Sequence, residues 1–218
     1  MSSPHRLSTP RAAGLAGVLF AILFAASIIL IHGALPEGAA PGSQWLEAGN
    51  LRLRIASLLM PFAGISFLWF IGVVRSRIGE REDRLFATVF LGSGLLFVVT
   101  MFVAAATLAG TARLYPDGAP AGDTTVALAN AWSAELVATF GLRMAGVFVA
   151  AVSSLGSRTR AIPRWLVITG YICALVLLVG SPVNDWLALV FPLWVLVFSI
   201  HTLAVGFDVP PPDSAGSV

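Results

Sequence analysis

The 218-residue chain is 57% hydrophobic and 11% charged, whereas a soluble domain carries about a quarter charged residues. With a mean hydropathy of +0.89, it holds too few polar side chains to coat a water-exposed globule, which excludes an ordinary soluble enzyme, a disordered chain and a nucleic-acid binder. What is left is an integral membrane protein, solvated by lipid over most of its surface.

A membrane helix needs about 20 apolar residues, and six stretches qualify, within an all-α transmembrane domain over 12–206. Residues 1–11 (MSSPHRLSTPR) form a polar cytoplasmic tail. The first span, 12–35, is longer than the roughly 7–15 apolar residues of a signal peptide and reads as an uncleaved helix. A long outer loop follows, GSQWLEAGNLRLR, in which Trp45 and Leu46 suit an interfacial helix. Arg52 and Arg54 close that loop and are candidates for contact with lipid headgroups. The second span, 55–74, contains Pro61, which predicts a kink. The loop RSRIGEREDR then sets Arg75, Arg77, Arg81 and Arg84 against Glu80, Glu82 and Asp83. It reads as a self-neutralised topology anchor, or as a dock for a cytoplasmic partner.

The third span, 85–109, carries Gly92, Gly94 and the run Ala104 to Ala106, small residues that let helix backbones approach. A Gly-, Pro- and Asp-rich outer loop precedes the fourth span, 130–155, where Gly141, Ala145, Gly146 and Ala150 repeat the small-residue pattern. The fifth span, 165–180, and the sixth, 186–205, form a hairpin across SPVND, and Pro192 predicts a second kink. The tail 207–218 is Pro-rich and polar, and is expected to be disordered and cytoplasmic.

Arginine placement orients the spans. All 13 basic residues are Arg. A cytoplasmic N-terminus puts nine of them inside (6, 11, 75, 77, 81, 84, 158, 160, 164) and three outside (52, 54, 113). Six spans return the C-terminus to the cytoplasm. Trp45, Trp132, Trp186 and Tyr115 then fall near the outer boundary, and Trp165 near the inner one. The expected location is the cytoplasmic (inner) membrane of a bacterium, with many passes. LRIA (53–56) and LRMA (142–145) form a faint internal echo of two outside-to-inside helices.

Ionisable groups at membrane depth cost roughly 2.5–3.5 kcal/mol on insertion scales, so they face protein or water. Glu135 and Arg143 in the fourth span are such groups, with Asn130 nearby. Eight residues apart, the two charges stand about 12 Å apart along the axis and about 80° around it, too far for a direct pair. Helical side chains lean toward the N-terminus. Arg143 is therefore expected to reach outward and find a partner on another helix or in water, and Glu135 to lean away. The competing reading starts the helix near Glu135 and lets Arg143 snorkel to the interface.

His32 and His201 fall at opposite faces and cannot share a metal. The single cysteine, Cys173, cannot form an intrachain disulfide. No hydrolase, Walker, Rossmann or metalloprotease motif is present. These readings predict no cofactor, no metal and no nucleic-acid partner. The chain reads as a non-enzymatic accessory or lipid-contacting membrane protein, alone, as a homo-oligomer or beside another membrane protein. The alternative is a small-solute transporter or channel protomer using a polar site at Arg143, and a membrane-embedded enzyme ranks third.

The stretch FLWFIGVVRSRIGEREDRLFATVFLGSGLLF, residues 67–97, resembles a segment of uncharacterised small multi-pass membrane proteins of high-GC bacteria. The resemblance implies a polytopic helical protein and carries no functional residue.

Overall fold

A computed structural model describes residues 9–34, 44–78, 84–115, 124–159, 162–180 and 185–204. Every regular element among them is helical: α1 Thr9–Ala34, α2 Gln44–Ile78, α3 Arg84–Leu114, α4 Thr124–Glu135, a π-helical turn Leu136–Gly141, α5 Leu142–Thr159, α6 Arg164–Val179, a 3₁₀ turn Asp185–Leu189 and α7 Val190–Ala204. In hydrocarbon each backbone N–H and C=O must find its partner within the segment, and helices satisfy this. Five helical stretches are long and apolar enough to cross a membrane, with α4, the π-turn and α5 counting as one rod; α6 is apolar but shorter.

The helices close into a ring. α1 packs on α2 and α7, α2 on α3, α3 on α5, α5 on α6, and α6 on α7. Five of them send phenylalanine rings into the centre: Phe20 from α1, Phe67 from α2, Phe97 from α3, Phe148 from α5 and Phe191 from α7. Phe67 is the hub, with ring centroids at 4.7 Å from Phe20, 5.1 Å from Phe148, 5.4 Å from Phe97 and 5.6 Å from Phe191. Several of these contacts are edge-to-face, the arrangement the ring quadrupole prefers. Lipid gives little hydrophobic drive between helices, so dispersion across this cluster holds the ring together.

Polar side chains in the apolar runs mostly satisfy themselves. Ser27, Ser66, Ser93 and Thr202 each donate to the carbonyl four residues back, at 2.6–2.8 Å. That local bond removes the cost of carrying a hydroxyl into hydrocarbon. Gly170 permits a closer approach between α5 and α6, because a Cβ there would stand 2.0 Å from the Ser153 hydroxyl.

Several element bounds differ from the apolar runs. α2 begins at Gln44, ahead of the run that starts at 55, so the stretch read as the end of an outer loop is its first helical turns. The side chains of Trp45, Leu46, Arg77 and Arg84 lie outside the described residues, as do Glu80, Arg81, Glu82 and Asp83, residues 1–8 and the C-terminal tail, whereas Thr9–Arg11, read as tail, open α1. Pro61 lies inside α2, but Pro192 is the third residue of α7. In a first helical turn a proline gives up no intrahelical hydrogen bond. Pro192 thus marks a 3₁₀-to-α junction rather than a mid-helix bend.

A histidine meets a tryptophan at each end of the ring. His32 stacks on Trp186 at 5.0 Å, and Trp165 meets His201 edge-on at 5.5 Å. His32 also hydrogen-bonds the Ile28 carbonyl through Nδ1 at 2.9 Å. A carbonyl only accepts, so that nitrogen carries the proton.

Candidate functional site

The two charges in the fourth apolar run are brought together by a residue between them. The Thr139 hydroxyl donates to Glu135 Oε2 at 2.5 Å. Arg143 Nη1 donates to the Thr139 carbonyl oxygen at 2.7 Å. One residue therefore joins acid and base, offering its side chain one way and its main chain the other.

The backbone makes this possible. Between Leu136 and Gly141 the ladder widens from i→i+4 to i→i+5 bonding, and the Leu142 N–H reaches back to the Val137 carbonyl. Single π-turns of this kind often occur at functional positions. Gly141 ends the wide turn where α3 comes close: a Cβ there would stand 2.1 Å from Met101 Cε. A larger residue at 141 would have to displace the end of the Met101 side chain.

That contact also sets the depth. Thr100 and Met101 are the two central residues of the apolar run Ala87–Leu114. Gly141 lies against both, and Arg143 is two residues further along. The array therefore sits near mid-height of the ring, level with the centre of the Ala87–Leu114 apolar run. Helix α4 starts at Thr124, eleven residues before Glu135. This overturns the reading in which the helix starts near Glu135. The alanine-rich VALANAWSA is only mildly apolar but favours helix, which hid that start from hydropathy. The expected direction of Arg143 holds: it reaches back one turn, toward the helix start. Its partner, though, is a carbonyl of its own rod, and Glu135 bends toward Arg143 rather than away.

The array faces outward. Glu135 is exposed, Thr139 and Arg143 are half-buried, and the neighbouring Trp132 and Phe140 are 58% and 56% exposed. Asn130 belongs to a different side of α4. It is half-buried, and its Oδ1 is enclosed without a hydrogen-bond donor. The structure brings together two of the three intramembrane candidates and leaves the third apart.

The other candidates are placed as follows. Arg52 donates to the Gly33 carbonyl at the C-terminal end of α1, where carbonyls lack intrahelical partners and a cation complements the helix dipole. Arg54 and Arg75 are exposed near opposite ends of the apolar stretch Leu51–Arg75 of α2. Cys173 is buried, with Sγ 3.9 Å from the Val190 carbonyl. In the LRIA/LRMA echo, Leu53, Ala56, Leu142 and Ala145 are all buried, yet Arg54 stands near the start of its apolar stretch and Arg143 near the middle of its own. Among the described residues no three His, Cys, Asp or Glu side chains converge as a metal site would require.

Comparison with protein-family models, with curated proteins and with solved structures finds no match for this chain.

Proposed function

We propose that the protein is a non-enzymatic accessory subunit of the bacterial inner membrane, which docks a membrane helix of a different protein on the outward face of the α4–α5 rod. The observation that carries this reading is the Glu135–Thr139–Arg143 array at mid-height on an exposed face. Ionisable groups at that depth are costly and are normally covered by protein or water. Of the five guanidinium donors of Arg143, the array places one. The partner that fits is a helix with an acid or amide at the height of Arg143, flanked by apolar residues to meet Trp132 and Phe140. A second copy in the same orientation fits badly, since a two-fold axis along the membrane normal sets Arg143 opposite Arg143 and Glu135 opposite Glu135.

The centre of the ring favours this reading over transport. Phe20, Phe67, Phe97, Phe148 and Phe191 fill it with carbon, where a solute path needs polar lining. Six spans with both termini in the cytoplasm, as the arginine distribution indicates, complete the proposal.

A photocrosslinking residue at Phe140 tests it in intact membranes. The expected product is one discrete adduct to a different polypeptide, lost when Arg143→Leu is added and kept when the exposed Arg75 at the other end is changed to Gln. An adduct of twice the chain's own mass, or labelling of lipid alone, overturns the proposal.

A further inference from the structure

One place further round the ring, α2 and α3 enclose a groove of about 400 Å³ that opens along the lipid-facing surface. Its walls are Ser57 and Pro61 from α2, and Phe102, Ala106, Ala109 and Arg113 from α3. The α3 positions recur at i, i+4, i+7 and i+11, one continuous face of a helix. Two alanines set the recess, Phe102 closes its deep end, and Arg113 stands at its mouth. Arg54 continues the α2 wall one turn beyond Ser57, whose hydroxyl donates to the Arg54 carbonyl at 2.9 Å.

The three arginines at this end divide into two kinds. Arg52 is committed to the end of α1. Arg54 and Arg113 are exposed, and among the described residues neither side chain has a hydrogen-bond or ion-pair partner. Two cations beside the mouth of an apolar trough define the ligand by charge and shape. The anion must be attached to a hydrocarbon chain, because the trough beneath offers carbon and one hydroxyl. Arginine also suits a phosphate particularly well, since its planar fork can bond two oxygens at once.

We infer that the α2/α3 groove is a binding site for one anionic phospholipid, with an acyl chain against Pro61, Ala106 and Phe102 and the phosphate between Arg54 and Arg113. The site lies apart from the α4–α5 array and does not depend on it.

Native mass spectrometry of the full-length protein in detergent tests this, with phosphatidylglycerol, phosphatidylcholine of the same chains, and inorganic phosphate as probes. The expected result is one phosphatidylglycerol retained at collision energies that strip phosphatidylcholine. The R54Q/R113Q double variant should weaken that retention at least tenfold, and A106F, which fills the trough, should do the same with both arginines intact. R113Q alone changes one exposed residue near a helix end and serves if either other variant fails to fold; it should weaken retention by several-fold. Equal retention of the two lipids, equal binding of inorganic phosphate, or retention unchanged in these variants overturns the assignment.

Discussion

At the scale of single residues, Thr139 decides what Glu135 and Arg143 can do. The two charges are legible in the sequence because each interrupts an apolar run, where the cost of burial makes an ionisable group conspicuous. Thr139 is not legible, since a threonine in an apolar helix usually bonds its own preceding turn, as Thr100, Thr107 and Thr111 do here. Thr139→Val keeps the carbonyl that Arg143 uses and removes only the hydroxyl bonded to Glu135. It should lower stability by about 1 kcal/mol, the scale of interhelical and charge-assisted bonds measured in membranes. Glu135→Leu, which removes the acceptor, should cost a similar amount, and the pair together little more than either alone, because both remove the same bond. Reversible unfolding in mixed micelles reads the cycle. Strictly additive losses would show that the hydroxyl and the carboxylate act independently.

At the scale of elements, the π-turn is a stretch in which each hydrogen-bonded loop of backbone holds one residue more than in an α-helix. Hydropathy carries no trace of it, because Leu136–Gly141 is as apolar as its neighbours. The extra residue has a consequence for deletions. Removing Ala138 should let the ladder close as a regular α-helix, leaving Gly141 against Met101 and the α5–α6 contacts in register. Removing Ala150 from the regular part of α5 should rotate everything beyond it by about 100° and pull its buried face out of the ring. The first protein is therefore expected to give a monodisperse gel-filtration peak with a Tm within a few degrees of the parent, and the second to aggregate. Aggregation of both would mean that the wide turn holds no spare residue. Pro192 teaches a related point: a proline inside an apolar run predicts a bend, but the outcome depends on where the α-helix begins, and here a 3₁₀ turn moves that start to Val190.

At the scale of the whole molecule, composition reveals the class of fold, and the order of packing has to come from the structure. A chain with 11% charged residues and six apolar runs has few ways to exist other than as membrane helices. Which helix touches which is not in the hydropathy, because a lipid-facing Leu and an interior Leu look alike. The phenylalanines do carry a signal in their spacing: Phe20 and Phe24, Phe67 and Phe70, and Phe90 and Phe97 lie at i+4, i+3 and i+7, each pair on one helix face. The ring cluster predicts an asymmetry between neighbouring positions. Phe67→Ala opens a hole that four other helices line, and should cost about 3 kcal/mol, the low end of the soluble-core range because lipid solvates an exposed ring far better than water does. Phe62→Ala, at a position 55% exposed, should change stability by under about 0.5 kcal/mol. Thermal unfolding of the two variants in the same detergent separates them, and equal losses would mean that the rings fill space without holding the helices together.

The two histidine–tryptophan pairs bear on a different quantity. Trp186 and His201 flank a 3₁₀ turn and most of α7, which together rise about 24 Å. Amphipathic rings settle at the boundary between headgroups and acyl chains, so the molecule carries its own gauge of the layer it inhabits. A bilayer thicker than the gauge would have to thin around the protein, and a thinner one would make it tilt. A change of bilayer thickness should therefore register as a change in the tilt of this chain.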